Sequence, residues 1–203
     1  MTGTLVLATR NAAKLVELNR ILAEAALSPR LCGVDEFTGV PEVAETGATF
    51  AQNAALKAVA VAAATGLPAV ADDSGLCVDA LNGMPGIFSA RWAGKHGADD
   101  ANLDLVLAQI SDIPDERRGA HFACAAALAL PGGVVEVVEG RIFGRLLRAR
   151  RGEQGFGYDP IFLPGGHDRT TAEMSAVEKD AISHRGQALR ALLPALRRTL
   201  TGT

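Results

Sequence analysis

Two neighbouring carboxylates, Asp72-Asp73, follow the apolar run Ala69-Val70-Ala71 and precede Ser74-Gly75. Taking such a pair out of water is costly unless a cation lies between or beside them. A hard cation such as Mg²⁺ is the natural partner. Neighbours on an extended segment point to opposite sides, so one of the two would face a reaction directly. The same residues also fit an Asx-type turn in which both acids cap backbone N–H groups. Phe50, Asn53, Lys57 and Val61 fall on one stripe of a helical run, so an amide and an ammonium look out together from an apolar cylinder. That lysine needs a carboxylate or a phosphate, or else its head snorkels into water. Glu42 and Glu45, just before this run, add acids that a metal could recruit.

Thr9-Arg10-Asn11-Ala12-Ala13-Lys14 sets hydroxyl, amide and ammonium groups where a strand hands over to a helix, and the N–H groups and dipole of a helix start favour anions. The segment can cradle phosphates or serve as a plain N-cap. It is not a Walker A loop, since G-x-x-x-x-G-K-[ST] is absent. Phe156 and Tyr158, in Gly155-Phe156-Gly157-Tyr158-Asp159-Pro160, could offer a ring to a nucleobase with Asp159 as an acceptor, or anchor a turn. Lys179, His184 and Arg185 gather around the start of the last helical run, where cations oppose the dipole unless an anionic or carbonyl-bearing ligand compensates.

The elements that must position these groups follow from periodicity. Thr4–Ala8 predicts a strand and Leu15, Leu18, Ile21 and Leu22 an amphipathic helix. Thr49 caps a buried helix that runs to Thr65 and is closed by Gly66 and Pro68. Ala69–Ala71 reads as a strand ending at the acidic pair, with a second β-like run over Leu76–Asp79. Asp99–Ile110 predicts a surface helix. Ala120–Leu130 and Val134–Phe143, joined by Pro131-Gly132-Gly133, predict a hairpin that builds a second lobe or an edge. Ile161–Leu163 follows as a short strand, Ser175–Glu178 has capping-box spacing, and Ser183 heads a helix over 184–200 that Pro194 should kink or end. The pattern is α/β with a hairpin extension.

Composition narrows the classes. With 203 residues, 48% hydrophobic and 21% charged, the chain reads as one domain with its own core, 1–203. Its longest uncharged apolar run, 122–130, is about half the ~18 residues that span a bilayer. The first residues lack a basic and an apolar signal region, so a cytoplasmic location and no membrane partner are expected. A net charge of −3 does not favour a nucleic-acid coat. Cys32, Cys77 and Cys124 fit neither a disulfide framework nor a zinc spacing and read as buried thiols.

Taken together the segments resemble the inosine triphosphate pyrophosphatases. The likeness rests on residues 7–14, Glu45-Thr46-Gly47 with Phe50 and 53–58, Ala71–Leu76, Pro85–Arg91, Gly155–Phe162 and Ile182–Ala188. It implies an elongated two-lobed α/β fold with a central mixed β-sheet flanked by helices, an active-site cleft between the lobes, Mg²⁺ dependence and a homodimer. It also implies hydrolysis of purine nucleoside triphosphates with deaminated bases, dITP/ITP and XTP/dXTP, to the monophosphate and pyrophosphate. By the same resemblance Thr9, Arg10, Asn11, Ala12, Ala13 and Lys14 hold the triphosphate, Lys57 binds phosphate and Asn53 binds substrate. Asp73 is the general base and a metal ligand with Glu45 and Asp72, and Ser74 contacts substrate. Phe156, Gly157, Tyr158 and Asp159 hold base and sugar, while Lys179, His184 and Arg185 read the purine edge. Arg185 can only donate, so the 6-amino donor of adenine would face a donor where a 6-oxo acceptor is wanted. Two positions depart from the pattern. Arg10 stands where many relatives have Gly, which bears on access to the phosphate loop, and Gln52 replaces a common acid, which bears on metal binding. A Maf-like pyrophosphatase for modified ordinary nucleotides and a non-hydrolysing nucleotide sensor are the alternatives.

Overall fold

The computed structural model describes residues 3–133 and 135–201, so Val134, the expected start of the second hairpin strand, lies outside them with the two residues at each end. Strand β1 (Thr4–Leu7) leads through the Thr9-Arg10-Asn11 loop into α1 (Ala12–Glu24), which buries Leu18, Ile21 and Leu22. The sequence gives no clear sign of β2 (Arg30–Gly33), because four residues are too few to show a two-residue period. Helix α2 (Phe50–Thr65) begins where the Thr49 hydroxyl accepts the Gln52 N–H at 3.2 Å, and ends at Gly66 with a left-handed φ of 69°. Its expected all-round burial holds on one side, with Asn53, Ala54, Ala58, Val61 and Ala62 inside and Leu56 and Val59 exposed.

Strand β3 (Ala69–Val78) is unbroken for ten residues, which joins the two expected runs into one and decides for the extended reading of the acidic pair over the Asx turn. Each carboxylate finds side-chain partners, so neither needs the backbone N–H groups of a turn. Gly75 keeps the strand continuous where a side chain has no room, since a Cβ there would overlap the Gly86 carbonyl and the Ser89 hydroxyl. Helix α3 (Asp99–Gln109), strands β4 (Gly119–Ala129), β5 (Val135–Leu146) and β6 (Phe162–Pro164), and helices α4 (Ala176–Ile182) and α5 (His184–Thr201) follow. Pro194 lies inside α5 without ending it.

The six strands are ordered β2-β1-β3-β4-β5-β6. β1 runs parallel to β2 and β3, and β5 antiparallel to β6, so the sheet is mixed. The hairpin strands occupy interior positions, not an edge, because β6 pairs outside them.

The chain forms two compact units. The first takes the chain up to Asp73, Cys124–Gly140 and the chain from Arg185 onward; the second takes Ser74–Ala123 and Arg141–His184. In the first, strand parity divides the core. Leu5, Leu7, Val70, Cys124, Ala126 and Leu128 pack with α1 and α5, whereas Val6, Ala69, Ala71, Ala125, Ala127 and Ala129 pack with α2. Alanines on both the sheet and α2 let that helix approach closely. In the second unit Leu76, Val78, Leu103, Val106, Phe122, Tyr158 and Phe162 form one core. Buried Arg118 there donates to the carbonyls of Ile110, Leu146 and Leu147, meeting the bare C-terminal end of α3. All three cysteines are free and buried, as expected. Among the described residues no helix is long and apolar enough to cross a membrane.

Replacing Gly75 by Ala forces Cβ against a carbonyl and a fixed hydroxyl, and should cost about 1–3 kcal/mol of stability. A urea midpoint equal to that of the wild type would show that the strand yields there without strain.

Candidate active site

Parity along β3 sends Asp72 to the α1/α5 side and Asp73 to the α2 side. On the first side the Lys14 ammonium donates to both Asp72 oxygens, at 3.0 and 2.8 Å, and Arg185 Nε donates to Oδ2 at 3.0 Å. Burial pushes Asp72 upward, but the two cations outweigh it and hold the carboxyl well below the ordinary carboxylate range. Arg185 also lies 3.7 Å from Glu17.

On the second side Asn53 Nδ2 donates to Asp73 Oδ2 at 2.9 Å, and the Asn53 carbonyl oxygen accepts the Gly47 N–H at 2.8 Å. The amide is thus oriented by the loop and in turn orients the acid. Gly47 is required there, because a Cβ would come within 2.7 Å of that amide oxygen. Lys57 Nζ lies 2.7 Å from Glu45 and 3.8 Å from Asp73 Oδ1. Burial raises the Asp73 pKa; Lys57 and Asn53 oppose the rise, while Glu45 and Asp72 add to it. A carboxylate so placed holds a proton more readily than a free one, as a base for water must.

The Thr9–Lys14 segment forms the turn into α1. Thr9 Oγ1 accepts the Asn11 N–H at 3.1 Å, and Asn11 Oδ1 accepts the Ala13 N–H at 2.9 Å, so both side chains serve the helix start. Arg10 makes an exposed ion pair with Asp35 at 3.3 Å. Gln52 spends its carbonyl oxygen on the Ala48 N–H at 2.7 Å, closing the start of α2.

In the second unit, Gly155 and Gly157 adopt φ of 78° and 61° on either side of Phe156, a residue that is 60% exposed. Asp159 is buried; its Oδ2 accepts the Phe156 N–H at 2.9 Å and a short bond from Lys179, and its Oδ1 accepts from Thr171 at 2.8 Å. The Lys179 ammonium lies 5.0 Å from the Phe156 ring centroid. Tyr158 is buried and donates to the Ser89 carbonyl at 2.9 Å, so it anchors the loop. His184 stacks on Phe122 at 4.9 Å. Ser74 follows Asp73 directly along β3.

His184 and Arg185 open α5, with Arg185 drawn to buried Asp72, while Lys179 sits in the last turn of α4, where the dipole favours it. Asp72 separates from Asp73 and Glu45, because its oxygens are taken by cations on the opposite face of the strand. Among the described residues no three His, Cys, Asp or Glu side chains are grouped to hold a metal. The supports Thr171 and Ser89 carry no local signal, since each meets its partner through the fold.

A lysine-flanked carboxylate pair thus marks the first unit and a glycine-framed aromatic loop the second. The Ham1 family's sequence model matches residues 5–195. A dITP/XTP pyrophosphatase of Streptomyces coelicolor is 66% identical over 196 residues, covering 97% of this chain and 98% of that protein. A crystal structure of a nucleoside-triphosphatase / dITP/XTP pyrophosphatase from Mycobacterium abscessus superposes with a TM-score of 0.80 at 55% identity, covering 94% and 99%. A HAM1 protein from Coxiella burnetii gives 0.89 at 43% identity, covering 97% and 99%. The chain belongs to the Ham1 family.

Asp72→Asn removes the carboxylate that Lys14 and Arg185 share, leaving the more distant Glu17 beside Arg185, and should cost about 3 kcal/mol at pH 7. Because the folded pKa is depressed, this stabilisation is fully present above the unfolded value of about 4 and fades as pH falls toward the folded one. Melting curves of the two proteins should therefore converge in acid, and a constant gap down to pH 2 would remove the ion pairs as its cause.

Proposed function

We propose that the protein hydrolyses purine nucleoside triphosphates with deaminated bases, dITP/ITP and XTP/dXTP, to the monophosphate and pyrophosphate. The observation that carries this reading is Asp73: a carboxylate whose pKa burial raises, fixed by Asn53 on one oxygen and faced by Lys57 on the other. The pyrophosphatase names of the relatives support it.

Asp73 takes the proton of the attacking water as the oxygen joins the α-phosphorus, the α–β anhydride bond breaks, and pyrophosphate leaves. Asn53 holds the carboxylate so that Oδ1 is the oxygen turned to the reaction. Lys57 and the Thr9–Lys14 turn carry the charge and N–H groups for the phosphates. Glu45 and Asp73, like charges sharing one lysine, fit Mg²⁺, which takes one or two carboxylates and completes its shell with phosphate and water. When bound, the ion neutralises phosphate oxygens. Asp72, saturated by Lys14 and Arg185, acts in this reading as their counter-charge. Phe156 offers its face to the purine, and Lys179, with donors beyond the one given to Asp159, meets the 6-oxo acceptor; adenine would set an amino donor against it. We take the working form as a cytoplasmic homodimer of one-domain chains acting on free nucleotides.

Pyrophosphate release from dITP, ITP, XTP, GTP and ATP, each with Mg²⁺ and with EDTA, tests the reading. Metal-dependent turnover of the hypoxanthine and xanthine nucleotides is expected. Comparable rates on GTP or ATP would reassign the base site, and no release from any would leave a binding protein. Asp73→Asn should lose hydrolysis by about 10²-fold or more while still binding ITP, and normal turnover would take Asp73 out of the base role.

A further inference from the structure

Phe156 stands between two glycines in the left-handed region, and the residue is mostly exposed, so neither backbone preference nor burial selects the orientation its ring holds. Beyond the Lys179 ammonium, 5.0 Å from the ring centroid, backbone hydrogen bonds hold the segment that carries it. Asp159, which accepts the Phe156 N–H, belongs to the same turn and cannot tie it to anything by that bond alone. The next N–H, that of Gly157, donates to Asp99 Oδ2 at 3.0 Å, and Asp99 lies 58 residues away at the first position of α3. The same helix turn reaches the approach to the loop, because Arg150 pairs with Asp100 and, at 2.7 Å, with Asp104. Helix α3 thus meets the segment at both ends of residues 150–157.

We propose that Asp99 is a positioning residue for base recognition: by holding the Gly157 N–H it keeps the Phe156 ring in the orientation that receives the purine. This rests on the reading of the Phe156–Asp159 loop as the base site. A carboxylate accepting a backbone N–H is a charge-assisted bond, stronger than a neutral one, and suits a loop whose glycines give it many other conformations. The same acid also sits where a helix dipole favours it, so helix stabilisation is the competing role for Asp99.

Steady-state hydrolysis of ITP by the wild type, Asp99→Ala and Asp99→Asn, with inorganic tripolyphosphate as inhibitor, separates the two. Asp99→Ala should raise KM for ITP about tenfold, with kcat within about twofold and inhibition by tripolyphosphate unchanged. Asp99→Asn keeps an acceptor oxygen but loses the charge, and should stay within about threefold of the wild-type KM. An unchanged KM in Asp99→Ala overturns the proposal. So does an Asn variant as impaired as the Ala variant, which would assign the effect to helix charge, or a parallel loss of kcat and tripolyphosphate binding. If the wild type releases no pyrophosphate from ITP, the function reading fails by itself. Calorimetric binding of inosine 5′-monophosphate then decides for Asp99, with weaker binding by Asp99→Ala upholding its role and equal or absent binding overturning it.

Discussion

The structure turns on two carboxylates placed side by side in the middle of a buried strand. Because successive residues face opposite sides of a sheet, Asp72 and Asp73 cannot share one cation, and the fold must supply a set of partners to each face. It does so with three helices. α1 and α5 bring Lys14 and Arg185 to one face, and α2 brings Asn53 and Lys57 to the other. The result is one acid saturated by cations and held ionised, and one acid with a raised pKa and a single oxygen fixed by an amide. Two chemically identical side chains acquire opposite properties from the parity of the strand.

That logic also explains what the sequence made legible. The stripe Phe50, Asn53, Lys57 and Val61, the Thr49 cap and the Gly66 stop depend on local spacing, and all appear in α2. The α/β class was readable from the same patterns, and the mixed sheet was implied by the family likeness. The acidic segment left an extended reading and an Asx turn both open because Asp, Ser and Gly carry turn propensity, and propensity yields when each polar group is satisfied from elsewhere in the fold. The partner of Arg185 was not legible for a related reason: Asp72 is 113 residues away in the chain. Support from Thr171 on Asp159 or from Ser89 on Tyr158 likewise exists only in three dimensions. Spacing in the chain identified side chains able to act, while their pairing depended on which face of which strand they met.

The pairing has an electrostatic consequence for how a nucleotide would be received. In these contacts three cations, Lys14, Lys57 and Arg185, meet four carboxylates, Glu17, Glu45, Asp72 and Asp73, so the cluster offers no net positive charge before any phosphate arrives. Lysines already matched by carboxylates cannot by themselves offset a triphosphate, and displacing Asp72 from its two cations would strand a buried charge. The Glu45–Lys57–Asp73 side is different, since Lys57 is shared between two acids and one of them has a raised pKa. Additional positive charge is accommodated there at least cost, relieving the repulsion between the acids while matching the phosphates. On this argument the side of β3 on which a cation would best be received follows from the parity that separates Asp73 from Asp72.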